Sequence, residues 1–230
     1  MLSADTGSEE DDSEPHYFIS TRALIYQLLH NPATRGSGTV DFVVLVADSI
    51  SQARRDRLSA DGAIVIEAPH LKADDRFKWI SPGGYGRWVS VLDKMEIFRL
   101  TQYERILLMD SDVVVVRPLE DIFTSPEVEV KLNKGFEENV EDDEPRQPDT
   151  YVMAGTCNHG RKHEYPVEMC GLMNAGFVVT KPSIDVYNHY LGVMSIEGRF
   201  DGKLPVSYPV LQSNLKRLRY AERRRDKDVI

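Results

Sequence analysis

The chain has 230 residues, 41% of them hydrophobic and 28% charged, a balance that suits one well-cored globular domain. Its formal net charge of −9 excludes a general nucleic-acid binder, because phosphate backbones repel an acidic surface. No run approaches the roughly 18 apolar residues of a membrane span, and Met1-Leu2-Ser3-Ala4-Asp5 lacks the basic and apolar parts of a signal peptide, so a cytoplasmic chain with no membrane span is expected.

Residues 1–15 are acidic and polar, with acid gathered from Glu9 to Glu14, and read as disordered. From Thr21 to His30 the spacing of Leu24, Leu28 and Leu29 predicts a helix, which Asn31-Pro32 stops. Asp41 to Ala47 is a short, β-branched apolar run, the pattern of a strand buried on both faces. A polar helix through Arg54, Arg55 and Leu58 then ends at Asp61-Gly62, and Ala63-Ile64-Val65-Ile66 reads as a second buried strand. After the turn-rich Ser81-Pro82-Gly83-Gly84-Tyr85-Gly86, a helix is expected from Trp88 to Leu100, with Trp88, Val91, Leu92, Met95 and Phe98 on one stripe.

Arg105 to Met109 is a third buried strand, running through Asp110-Ser111-Asp112 into Val113 to Val116 until Arg117-Pro118 breaks it. Leu119 to Phe123 reads as a short helix. Residues 127–165 form a long irregular stretch carrying the second acidic run, Glu137 to Glu144. Met173 to Val179 is strand-like, and Ser183 to Val193 is a helix following Pro182. Buried strands alternating with helices give an α/β fold: a mostly parallel sheet with helices on both faces. The domain reading is a disordered acidic 1–15, a single domain over 16–205, and an atypical basic tail over 206–230 that begins beyond Pro205 and holds Lys216, Arg217, Arg219, Arg223, Arg224, Arg225 and Lys227.

In an open α/β sheet, ligands bind at the carboxyl ends of strands, which directs attention to Asp110. On extended backbone, carboxylates two residues apart point the same way, so Asp110 and Asp112 would share one partly dry crevice and repel each other. A divalent cation removes that conflict, and carboxylate ligands with open positions suit Mn²⁺ or Mg²⁺ with diphosphate oxygens completing the shell. The bland alternative is a polar turn between two strands. The apolar run Ile106-Leu107-Leu108-Met109 favours the metal site, because acids interrupting such a run need something to satisfy them.

Tyr103-Glu104-Arg105-Ile106-Leu107-Leu108-Met109-Asp110-Ser111-Asp112-Val113-Val114-Val115-Val116-Arg117-Pro118-Leu119-Glu120-Asp121-Ile122-Phe123 resembles the signature of glycosyltransferase family 8, the glycogenin-like group. Trp88 to Met95 is similar to that family's preceding helix, and Met173-Asn174-Ala175-Gly176-Phe177-Val178-Val179 to its Asn-(Ala/Ser)-Gly strand. The closest flavour is that of fungal proteins similar to N-acetylglucosaminyltransferases. The resemblance implies a GT-A fold and retaining transfer of a glucose- or N-acetylglucosamine-type group from a UDP-sugar to a carbohydrate or glycoprotein acceptor. It implies Asp110 and Asp112 as ligands of Mn²⁺, Ser111 near the ribose, Lys94 on donor phosphate or sugar, and Asn174, Ala175 and Gly176 at the donor sugar. Relatives of this kind are often held in the Golgi by an N-terminal membrane segment.

The family pattern is incomplete. Its opening uridine-binding strand has only His16-Tyr17-Phe18-Ile19 as a stand-in, and no histidine follows His189 to serve as a third metal ligand. A degenerate protein of the same fold, binding nucleotide-sugar without turnover, is the second reading. A nucleotidyltransferase is a third, but it wants a Gly-rich phosphate loop after an apolar strand, and Ser81 to Gly86 follows none. Cys157 and Cys170 are too few for a disulfide framework, and His159 and His163 lie in loop-like surroundings that make a poor metal site.

Overall fold

A computed structural model describes residues 16–69, 71, 77, 93–133, 148–157 and 173–196. The readings for 1–15, the Ser81 to Gly86 loop, the Trp88 end of its helix, His159, His163, Cys170 and the basic tail lie outside the described residues. The chain divides into two compact units, residues 1–71 with 109–128, and residues 72–108 with 129–230.

The first unit opens with helix α1 (His16–Ile25), five residues ahead of the expected start, so His16 to Ile19 forms its first turn and is no strand. Phe18, Thr21, Leu24 and Ile25 are its buried residues, a stripe at helical spacing. The helix then widens into a π-helix over Tyr26–His30, closed by the Asn31 amide donating to the Tyr26 carbonyl at 2.8 Å. Strand β1 (Val43–Val46) has Val44, Leu45 and Val46 buried, as its unbroken apolar run predicts. Helix α2 (Gln52–Ala60) follows and buries Leu58.

Strand β2 (Ile64–Glu67) pairs parallel with β1, Val43 opposite Ile64 and Val46 opposite Glu67. The burial expected for it fails: Ile64 is 42% exposed, while Val65 and Ile66 are half-buried. A short apolar run identifies a strand without saying what covers its faces. Phe18, Ile25, Val44, Val46, Ala47, Ile50, Leu58 and Ala63 make this unit's core, with Leu29, Phe42 and Val65 packed on it. Each large side chain there contributes about 1.5–3 kcal/mol by leaving water.

An ion pair joins α1 to the end of α2. Arg22 donates to Asp61 at 2.5 Å, and that hydrogen bond, aided by the charges of Arg22, Arg57 and His30 against the cost of burial, holds the Asp61 carboxyl below its usual range. The turn after α2 uses Gly62 at φ +105°, where an added Cβ would meet Leu29 Cδ1 at 3.1 Å. Gly38 also has positive φ, +88°, but nothing lies within 4 Å of its missing Cβ.

In the second unit the described part of the expected Trp88–Leu100 helix is a 3-10 helix, Asp93–Arg99. Strand β3 (Ile106–Met109) is half-buried at all four positions, less than its apolar run predicts. Residues 127–165 were expected to be irregular, yet their described part contains strands β4 (Lys131–Leu132), β5 (Thr150–Tyr151) and β6 (Met153–Cys157). Strand β7 (Met173–Thr180) and helix α3 (Ile184–Ser195) follow. Ser183 caps α3, its Oγ accepting from the Val186 amide at 3.4 Å.

Sheet order in this unit is β3-β7-β6, with β4-β5 separate. The fold is mixed α/β. Among the described residues its strands make three small sheets where the sequence predicts one mostly parallel sheet; β1-β2 is parallel, while β6-β7 and β4-β5 are antiparallel. Val178, Val179, Val186, Leu191 and Met194 are buried, Phe98 meets Tyr190 edge-on at 5.3 Å, and Thr180 Oγ1 donates to the Val152 carbonyl at 2.9 Å.

Candidate functional site

Asp110, Ser111 and Asp112 follow β3 directly, at its carboxyl end. They sit in a turn, with the Val113 amide donating to the Asp110 carbonyl at 3.4 Å. The expectation of extended backbone is corrected here, and with it the alternation that would have aligned the two carboxylates. A turn places Asp110 half-buried and Asp112 exposed, with Ser111 half-buried between them. The strand predicted over Val113 to Val116 is also absent: these residues belong to no strand. Val115 is 6% exposed, whereas Val114 and Val116 are 72% and 82% exposed, so a single valine anchors the segment.

That anchor is hydrogen-bonded by a side chain. Gln27 Oε1, in the π-helix, accepts from the Val115 amide at 2.8 Å. Glu120 holds the far end of the segment, its Oε1 accepting from the Ser37 amide at 2.7 Å and from Ser37 Oγ at 3.1 Å. A Cβ on Gly36 would overlap the Glu120 carboxylate, so glycine there is a condition of the contact. Sequence reasoning did not single out Gln27, Ser37 or Glu120. Their one visible signal was a polar residue beside the apolar positions of the first helix.

In the second unit, Lys94 is half-buried on the 3-10 helix. Its neighbours Asp93 and Glu96 are 2% and 4% exposed, a burial that no local pattern foretells. Glu96 is satisfied twice, by Tyr187 Oη at 2.6 Å and Arg99 Nη1 at 2.8 Å, as a buried carboxylate must be. Burial first, and then the hydrogen bond to Glu96, push the Tyr187 hydroxyl up to about 12. The same carboxylate raises the Arg99 guanidinium above its ordinary value.

Asn174, Ala175 and Gly176 lie in β7 where its register with β6 slips. Gly155 faces Val178 and Cys157 faces Met173, which leaves residues 174–177 opposite Thr156 alone. Bulges of this kind bend a strand and re-aim its side chains, and they collect beside functional sites. Gly176 inside the strand suits such a bulge. Asn174 is exposed, and its Oδ1 accepts from the Gly176 amide at 2.6 Å, which commits the carboxamide oxygen and leaves the NH₂ as its remaining donor.

The sequence-predicted residues therefore divide between the units: Asp110, Ser111 and Asp112 share a turn in the first, while Lys94 and the Asn174–Gly176 bulge belong to the second. Two carboxylates and a hydroxyl thus lie within three residues, the type of oxygen group that hard divalent cations take. Among the described residues no group of three or more His, Cys, Asp or Glu side chains is placed to hold a metal.

No protein-family profile matches the chain. An uncharacterized protein of Schizosaccharomyces pombe is 28% identical over 190 residues, covering 73% of this chain and 50% of that protein. UDP-glucuronate:xylan alpha-glucuronosyltransferase 1 of Arabidopsis thaliana is 31% identical over 102 residues, 44% of this chain and 15% of the relative. Glycogenin-1 of Oryctolagus cuniculus is 27% identical over 111 residues, 48% and 23%. Part of this chain is related to glycosyltransferases. It spans about half the length of the fission-yeast relative. No helix among the described residues is long and apolar enough to cross a membrane.

Proposed function

We propose that the chain carries the donor-binding core of a metal-dependent glycosyltransferase, of the glycogenin-like family 8 type. It moves a hexosyl group of the glucose or N-acetylglucosamine kind from a UDP-sugar to a carbohydrate or glycoprotein acceptor, with retention. The observation that carries this reading is the Asp110-Ser111-Asp112 turn at the carboxyl end of β3, in a chain similar over part of its length to several glycosyltransferases. A relative whose name states UDP-glucuronate as donor and an alpha product supports the UDP-sugar and the stereochemistry.

Asp110 and Asp112 hold Mn²⁺ or Mg²⁺. The cation, when bound, neutralises charge developing on the leaving diphosphate. Ser111 offers its hydroxyl to the ribose, and Lys94 supplies a cationic donor for phosphate or sugar. The bulge orients the sugar through the Asn174 NH₂ and the backbone at Ala175 and Gly176, where the absent side chain of glycine lets a ligand approach. Rate enhancement in such a site comes from positioning and electrostatics.

Calorimetric titration of UDP into the chain, with and without Mn²⁺, tests this. Binding should require Mn²⁺ and fall by about 100-fold or more in an Asp110→Asn, Asp112→Asn double variant, the scale on which metal-site changes act. UDP binding that ignores both Mn²⁺ and the double substitution would sink the reading.

A further inference from the structure

We infer that Gln27 is a positioning residue for the Asp110–Asp112 turn, acting through the backbone of Val115. The inference rests on the reading of that turn as the cation and diphosphate site. Beyond Met109, the last residue of β3, the turn closes with the Val113 amide donating to the Asp110 carbonyl at 3.4 Å. Val114 and Val116 are bare to water, and the segment belongs to no strand. Val115 holds the exit of the turn, buried and bonded to Gln27 Oε1 at 2.8 Å. A buried amide needs an acceptor, and here a carboxamide supplies what a neighbouring strand would otherwise supply.

Gln27 is itself held. It lies in the π-helix Tyr26–His30, a departure from the α-helical ladder of the kind that gathers at functional sites. Its carbonyl accepts from Thr34 Oγ1 at 2.5 Å. The Glu120 carboxylate on Ser37 then fixes the downstream end. Residues 113–120 are thus laid along the loop that leaves the first helix, and the two aspartates stand at the head of a tethered segment. Ligands for a cation must be held close to their bound geometry before the ion arrives.

The test compares the full chain with Gln27→Met, which keeps length and removes the acceptor, and Gln27→Glu, which restores one. Two readouts are taken: hydrogen exchange at the Val115 amide without ligand, and Mn²⁺-dependent UDP affinity by calorimetry. In Gln27→Met the Val115 amide should lose protection and UDP affinity should fall about tenfold, at the lower end of what supporting residues around metal ligands contribute. Gln27→Glu should keep both near the starting values. Gln27→Asn, one methylene shorter, carries the same expectation as Gln27→Met should that variant fail to fold. Equal metal-dependent affinity in the unsubstituted and acceptor-deleted chains overturns the role of Gln27 alone, as does a Gln27→Glu chain as weak as Gln27→Met. Binding indifferent to Mn²⁺ in the unsubstituted chain overturns the site reading beneath it.

Discussion

The exits of β1 and β3 begin from similar sequence and end differently. Both follow four-residue apolar strands, Val43–Val46 and Ile106–Met109. After β1 the chain turns back under a single guanidinium. Arg55 Nε donates to the Ile50 carbonyl at 2.8 Å, and Nη2 to the Ala47 and Asp48 carbonyls at 3.1 and 3.0 Å; Nη1 pairs with Glu67. One positive charge thus gathers three carbonyls of that loop. After β3 the carboxylates of Asp110 and Asp112 stand half-buried and exposed, and a neutral carboxamide, that of Gln27, accepts from the Val115 backbone amide at 2.8 Å. One exit is stitched by an arginine through its carbonyls, the other by a neutral side chain through an amide.

Removing each tether should therefore have opposite consequences. The largest change in stability belongs to Arg55→Met, which takes a donor from three carbonyls and from the Glu67 carboxylate. Urea unfolding should show a loss of about 3 kcal/mol, and UDP affinity per folded molecule should stay the same. The Asp110→Asn, Asp112→Asn pair should do the reverse, leaving the unfolding midpoint in place while binding is lost. If both variants behaved alike, the contrast between the two exits would be without meaning.

A smaller effect sharpens the picture in the second unit. Tyr187→Phe takes one of two partners from Glu96, and should lower stability by about 1 kcal/mol because Arg99 still holds the carboxylate. The hydroxyl is raised in the folded state, so its contribution is complete below the ordinary tyrosine value of 10.0 and disappears as pH climbs toward about 12. Unfolding curves from pH 9 upward should show a shallower alkaline decline in Tyr187→Phe than in the unsubstituted chain; parallel declines would remove Tyr187 from the account.

How legible this was follows from the kind of signal each element carries. Strand β1, helix α2 and the Ser183-capped α3 declare themselves by period and cap, both local properties. Asp110 and Asp112 stood out because acid interrupted an apolar run, while Asn174, Ala175 and Gly176 stood out only through the family resemblance of their strand. The turn at 110–113 was legible only as the less favoured alternative, since Val113 to Val116 has the composition of a strand and only tertiary contacts leave Val115 covered and its neighbours bare. The burial of Glu96 was hidden for the same reason: its partner Tyr187 is 91 residues away. Gln27 reads as an ordinary helical glutamine until a π-turn aims it at a backbone amide.

The two left-handed glycines have a consequence for how this chain can drift. Gly38 and Gly62 share a backbone sign, yet Gly38 opens onto empty space while Gly62 stands against Leu29. Asparagine and aspartate tolerate left-handed backbone, so position 38 has neighbours in sequence space that keep the loop intact. Position 62 has none without moving a residue packed on the core. A population of folded variants selected for this unit would scatter at 38 and stay fixed at 62, recording the packing behind α2 as a single unvarying letter.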